Sequence, residues 1–213
     1  MEQPDTQRKW DALWREQEGP GRPARVLAEN AHLLPAAGEA LDLACGLGAN
    51  ALLLARRGLR VRAWDLSTVA VERLQAQARA EGLAVAAEVR DVCAQPPPPE
   101  AFDVVVVAHF LERPLAPALV AALRPGGLLY FETYTREALS PQGPGRPEWR
   151  LAPGELLGLF APLRPVVYRE EGLLGDLGEG WRDKALLVAV KEPARRGGPL
   201  PPGWREEPWR QAG

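Results

Sequence analysis

Apolar residues recur along the chain at two different periods. Over residues 5–17, Trp10, Leu13 and Trp14 stand at i, i+3 and i+4, which is one apolar face of a helix. Pro23 can open a second helix as its first residue, and Pro35 ends it near Leu34. From residue 39 the pattern alternates. Residues 39–44 read as a short apolar strand ending in CGLG. Residues 48–57 read as a helix with Leu52, Leu53 and Ala55 inward and Gly58 as its stop. RVRAWD at 60–65 is a second strand, and Ser67 caps a helix over 68–80. Residues 84–90 form a third strand ending at Asp91. FDVVVVA at 102–108 is a β-branched run of the kind buried on both faces. A short helix at 115–123 is stopped by Arg124-Pro125-Gly126-Gly127, and residues 128–134 form a fifth strand. A helix near 153–160 precedes two last strands, at about 165–170 and 184–190.

Strands alternating with helical segments predict βαβ units and a parallel sheet. The fold class is therefore α/β: a Rossmann-like, seven-stranded, mostly parallel sheet with helices on both faces. No long helix separates the last two strands, so they are expected to pair antiparallel at one edge. The ligand crevice is expected outside the carboxyl ends of the first strands. Three segments follow: N-terminal helices over 1–35, the main domain over 36–192 and a Pro/Gly-rich tail over 193–213. The tail has no apolar periodicity, and only its Trp204 and Trp209 suggest docking.

Composition narrows the function. Hydrophobic residues make up 46% and charged residues 25%, the balance of a globular domain. A net charge of −2 argues against holding nucleic acid or anionic lipid by an overall field. Two cysteines, Cys45 and Cys93, cannot form a disulfide framework, and with two histidines, His32 and His109, no metal site is expected. No run of 18 apolar residues occurs, and the N-terminus has no signal-peptide core. The expectation is a cytoplasmic protein, monomer or homodimer, with a small-molecule partner and neither nucleic acid nor membrane.

The densest chemistry lies in Asp42-Leu43-Ala44-Cys45-Gly46-Leu47-Gly48-Ala49-Asn50, which leaves the first strand and opens a helix. Gly46 and Gly48 let backbone approach a ligand with no Cβ in the way. Ala51 stands where a dinucleotide loop has its third glycine, and no Gly-Lys-Ser/Thr follows, so the loop is not built for a polyphosphate. Taken alone, it can also be a plain strand–helix turn. Asp65 at the tip of strand two can accept from ribose hydroxyls, and Asp91 at the tip of strand three can accept from an adenine amine. Each alone can equally be a turn residue or a cap. On three successive strand tips, the set points to an adenosine-type ligand.

These residues resemble the class I S-adenosylmethionine-dependent methyltransferases. Asp42-x-x-x-Gly46-x-Gly48 is similar to their first motif, with Ala44 departing from the commonest glycine there. VRAWDLS at 61–67 resembles the second-strand acidic motif and RDV at 90–92 the adenine-side motif. FDVVVV at 102–107 and LRPGGLLYFE at 123–132 resemble the fourth and fifth strands. The match runs over roughly residues 36–135. LARRGLRVRAWDLS further resembles the small bacterial tellurite-resistance or thiopurine-type branch, whose acceptors are not carried over. The resemblance implies S-adenosylmethionine as cofactor. Its site would comprise Asp42, Ala44, Cys45, Gly46, Gly48 and Asn50 from the first tip, Asp65 and Leu66 from the second, Asp91 and Val92 from the third, and Ala108 and His109 from the fourth.

Such a transfer needs mainly positioning and exclusion of water. His109 can be a general base or a structural ring beside the cofactor. Glu132 can orient an amine or pair with Arg113. Phe110, Trp10 and Trp14 can wall the sulfonium, though the tryptophans can also be plain core. Cys45 and Cys93 lack a histidine partner in sequence reach, which disfavours a nucleophilic role. Residues 1–20 and the Pro/Gly loop at 141–147 are expected to cover the crevice, with His109 and Glu132 among the few polar groups inside. The reading is methyl transfer to a small molecule. A non-catalytic adenosyl-binding module is the alternative, a nucleotide-dependent oxidoreductase is disfavoured by the glycine pattern, and a protein acceptor stays open. Nucleic-acid methylation is disfavoured by charge and by HFLE standing where Asn/Asp-Pro-Pro-Tyr/Phe would follow strand four.

Overall fold

The computed structural model describes residues 3–193. One sheet runs through it in the order β3-β2-β1-β4-β5-β7-β6. Its strands are β1 (Glu39–Leu43), β2 (Arg60–Asp65), β3 (Val85–Val89), β4 (Phe102–Ala108), β5 (Leu123–Tyr134), β6 (Arg164–Arg169) and β7 (Lys184–Val190). The first five are parallel. β7 inserts between β5 and β6 and is antiparallel to both. The seven strands and the antiparallel last strand match the expectation from the sequence.

The period-2 alternation sorts side chains to two core layers. Ala40, Val104, Val106, Tyr130 and Val188 face one layer with α2 (Arg25–Glu29), α3 (Ala49–Arg56) and α4 (Thr68–Ala80). Leu41, Leu43, Val105, Val107 and Phe131 face the other, with α5 (Ala116–Ala122) and α6 (Glu155–Leu159). Val104 to Val107 are fully buried, as a β-branched run covered on both faces should be. Asp42 and Glu132 are exceptions, carboxylates on an apolar face with almost no exposed surface.

Several boundaries differ from the sequence reading for physical reasons. α2 is one short turn, because Asn30 Nδ2 donates back to the Val26 carbonyl at 2.9 Å and the chain tightens into a 3₁₀ turn, Ala31–Leu33. The inner face of α3 is Ala51, Leu52 and Leu54, one step round from the expected Leu53 and Ala55. Arg124-Pro125-Gly126-Gly127 is the irregular start of β5, with a register shift opposite Phe102 and Val104. Ser67 does cap α4, accepting from Ala70 N–H at 3.2 Å. The remaining helix, α1 (Gln3–Glu16), packs on α4. No helix among the described residues is long and apolar enough to cross a membrane. The tail, with Trp204 and Trp209, lies outside the described residues from 194 onward.

Candidate active site

Strand order reverses between β1 and β4, and a cavity of about 830 Å³ opens outside the carboxyl ends of the strands there. A crevice at this switch point is the general place for ligands in open α/β sheets. Ala44, Cys45, Gly46, Asn50, Asp65, Leu66, Asp91, Val92, Ala108 and His109 all line it. Asp42 and Gly48, also expected in the site, stand behind its wall and act on the loop instead.

The loop after β1 is held by backbone and buried acids. Gly48 has φ 81, and a Cβ there would lie 2.2 Å from Leu74 Cδ1. Gly46 has φ 51, and a Cβ there would meet the Trp14 ring at 2.8 Å. Ala44 also takes a left-handed φ of 54, which is why glycine is the unstrained residue at that position. Asp42 Oδ2 accepts from Ala51 N–H at 2.9 Å, while Oδ1 is buried without a hydrogen bond. Burial pushes this carboxyl up to about 7, against the lowering by Ala51 N–H and the nearby Asn50 amide. Cys45 is buried beside both acids, and burial drives its thiol well up, which leaves it without thiolate reactivity.

Asp65 ties two tips together. Its Oδ2 accepts from Gly46 N–H at 2.8 Å and its Oδ1 from Ser67 N–H at 2.9 Å. Burial pushes it above the usual carboxylate range, partly offset by these bonds. Each oxygen keeps a second lone pair for a ligand. Asp91 lies two residues past β3, where its Oδ1 accepts from Cys93 N–H at 2.9 Å and from Ala94 N–H at 3.3 Å. Arg90 beside it stacks its guanidinium 3.9 Å from the Trp64 ring centroid. Asn50 accepts from Ala24 N–H at 2.8 Å and so pins the entry to α2.

The other rim is made of side chains from three strands. The register Ala108↔Glu132 and Tyr134↔Lys184 brings His109, Glu132 and Lys184 to one tip. His109 Nε2 lies 2.7 Å from Lys184 Nζ and 3.2 Å from Glu132 Oε1, and Nζ donates to Oε1 at 3.1 Å. Glu132 Oε2 accepts from Val26 N–H at 2.9 Å. Burial pushes the Glu132 carboxyl up, but His109, Val26 N–H and the Lys184 charge outweigh it and hold it below the usual range. Glu132 is 1% exposed and lines no part of the cavity. The structure thus places Glu132 behind His109 and outside the cavity lining, where the sequence reading has it among the polar groups inside. The expected pairing with Arg113 is replaced as well. Arg113 binds Glu155 and the Glu148 and Arg150 carbonyls.

α1 lies across the mouth. Trp10 and Trp14 stack at 6.2 Å and both line the cavity. Trp10 keeps 38% of its surface exposed, so it is not core. Trp14 Nε1 is buried with no hydrogen-bond partner. The helix is anchored to α4 by polar contacts: Asp11 accepts from Ser67 Oγ and from Val69 N–H, and Arg73 donates to the Trp14 carbonyl. The Pro/Gly loop at 141–147 contributes no lining residue, against expectation. Its Arg150 anchor binds the Thr135, Gln142 and Pro144 carbonyls and folds it over Tyr134 instead. Sequence reasoning missed Lys184, Arg22, Arg90 and Glu112. Lys184 is legible only from the strand pairing, whereas Arg90 stands next to Asp91 and could have been found.

Residues 40–127 match the family described as a methyltransferase domain. The chain is 29% identical over 214 residues to a ubiquinone biosynthesis O-methyltransferase of Xanthomonas axonopodis pv. citri (strain 306), covering 87% of this chain and 85% of the relative. Among solved structures it is similar to the protein described for conversion of a disulfide bond into a thioacetal group during echinomycin biosynthesis. The TM-score is 0.65 at 25% identity, over 88% of this chain and 92% of that one. TehB from Haemophilus influenzae superposes with a TM-score of 0.64 at 20% identity, over 86% and 67%, a likeness of fold. The family match spans the stretch from β1 into β5 that builds the cavity, and the O-methyltransferase relatives run along most of the chain. On that footing the protein is an S-adenosylmethionine-dependent methyltransferase.

Proposed function

We propose that this methyltransferase acts on a small molecule, at an oxygen, in a site closed by α1. The observation that carries the reading is the cavity itself. Strand tips form its floor, and Trp10, Trp14 and Phe110 give it aromatic walls. Its volume lies within the range of pockets that enclose a small ligand, about 300–1,000 Å³. The relative's name supplies the acceptor atom, since it is an O-methyltransferase of ubiquinone biosynthesis.

S-adenosylmethionine suits the residues present. Asp65 keeps free lone pairs toward the cavity, and Trp14 Nε1 is a buried donor lacking an acceptor. The glycine loop would hold the amino-acid part, Asp65 the ribose hydroxyls and Asp91 the adenine edge. The cofactor supplies an already activated methyl group. This chain's residues then have three tasks. The backbone of the loop fixes position, α1 with its tryptophans excludes water, and His109 meets the acceptor. The residues of the tellurite-resistance branch do not help choose an acceptor.

Incubating the protein with methyl-labelled S-adenosylmethionine and a cell extract tests this. Label should appear in the small-molecule fraction, in base-stable ether linkage. Label confined to protein or nucleic acid would sink the reading.

A further inference from the structure

We infer that Lys184 is a positioning residue that fixes the ring proton of His109 on Nδ1, so that His109 meets the methyl acceptor as a hydrogen-bond donor and favours an acceptor oxygen that arrives ionised. The inference deepens the small-molecule reading above and rests on it.

The argument starts from donor counting. A lysine ammonium carries three donors and no acceptor. Its Nζ stands 2.7 Å from His109 Nε2, so Nε2 must offer a lone pair. A neutral imidazole has one N–H, which is then on Nδ1. The other tautomer would point Nε2–H at Glu132 Oε1, 3.2 Å away, and set it against the ammonium hydrogens. Glu132 does not need that bond. Its Oε1 is served by Lys184 at 3.1 Å and its Oε2 by Val26 N–H at 2.9 Å. The Tyr134 ring lies 5.0 Å from Nζ and fixes the ammonium from a further side. The backbone adds its own constraint. His109 has φ 59, and its N–H donates to the Glu132 carbonyl at 2.8 Å.

The consequence concerns the acceptor. The His109 side chain is 43% exposed and lines the cavity, and Nε2 is already engaged. Nδ1 is therefore the nitrogen left for a bound molecule, and it carries a hydrogen. Such a ring cannot remove a hydroxyl proton, but it can donate to an oxyanion. An acidic hydroxyl, ionised near neutral pH, is the acceptor that suits it. Its oxygen supplies the electron pair of the new O–C bond. The pair of the broken S–C bond stays on sulfur, and no proton passes to the protein.

Nitrogen-15 NMR of the imidazole tests the tautomer without any acceptor. Only two histidines occur, so a His32→Gln background leaves a single ring. In the full chain, at a pH where the ring is neutral, the Nδ1–H form is expected. Lys184→Arg should keep it, and Lys184→Met should move the proton to Nε2, facing Glu132. An Nε2–H ring in the otherwise native chain, a measurement that needs no Lys184 variant, overturns the proposal. So does a Lys184→Met ring still protonated on Nδ1. The acceptor part is tested on ring-substituted phenols of equal size. Their turnover should follow the ionised fraction, and equal turnover of a fully protonated phenol overturns the donor role. If the tautomer is as expected but extract label goes only to macromolecules, the small-molecule reading and its acceptor part fail together, and the Lys184 assignment stands.

Discussion

The two ends of the cavity are built on different principles. At the β1–β2 end, residues 42–51 and 65–67 hold one another through backbone N–H groups and two buried carboxylates. At the β4–β7 end, His109, Glu132 and Lys184 meet through side chains drawn from positions 75 residues apart. The first end is fixed by local chain geometry, and changes there should act on folding and the cofactor together. The second is fixed by register and by charge, and changes there should act on chemistry. A ligand common to many acceptors sits best on the first kind of structure, and a variable one on the second.

The contrast breaks first at Gly48. Alanine there meets a left-handed backbone, costing about 1–2 kcal/mol, and drives a methyl into the buried Leu74, costing about 1–3 more. Gly48→Ala should therefore lose roughly 2–5 kcal/mol in denaturant unfolding. A loss under about 1 kcal/mol would mean the loop is soft and the contrast is false. Asp42 comes next. Its carboxyl rises from an ordinary 3.8 to about 7 in the fold. The folded state thus holds a proton that the unfolded state has released, and stability falls as pH rises through that window. The fall is about 1.4 kcal/mol per pH unit, or about 4 kcal/mol in all. Asp42→Asn should remove it, making the variant the more stable one above pH 7 and equal below pH 4. Parallel unfolding curves for the two proteins across this range would refute the assignment.

The same contrast explains what the sequence disclosed. Residues 42–50 are contiguous, so the glycine loop could be read directly, and Asp65 and Asp91 were legible because both stand at or just past strand tips. The seven strands and the mostly parallel sheet followed from the alternation of strand and helix patterns, whereas the strand order did not. Lys184 was not legible, because its place beside His109 depends on β7 inserting between β5 and β6 and on the pairing Tyr134↔Lys184. Glu132 was visible as a carboxylate near a strand end, but period-2 alternation does not say that Val26 N–H and Lys184 would bury it. The short α2 escaped for a local reason, since the Asn30 side chain competes with the helix for the Val26 carbonyl.

Asp65 separates position from binding. If Asp65 accepts from the ribose hydroxyls, alanine there removes a charge-assisted acceptor worth about 1.5–3 kcal/mol, which is roughly a tenfold to hundredfold loss of affinity. Calorimetric titration with S-adenosylhomocysteine should show that loss for Asp65→Ala, with NADH unable to compete against the native chain. Unchanged binding would remove Asp65 from the cofactor site and leave it as a tie between Gly46 and Ser67.

The smallest effect expected sits where the two ends share a cover. Trp14 lies against Gly46 on its lower side, stacks on Trp10 above, and hides an unpartnered Nε1. If it walls the sulfonium, its ring face should favour a cation by about 0.5–1 kcal/mol. Trp14→Ala should then weaken S-adenosylmethionine roughly two- to fivefold more than S-adenosylhomocysteine, which has lost the charge. The ring's other task, shielding the loop from water, bears on both ligands equally and cancels in the ratio. Hydrogen exchange supplies the second half of the test. α1 is anchored through Asp11, Gln7 and the Trp14 carbonyl rather than through an apolar core, so residues 5–16 should gain protection when ligand fills the cavity. A plain core role predicts otherwise. The variant would lose the ~3–5 kcal/mol of a buried aromatic, both ligands would bind as before, and α1 would be protected with or without them.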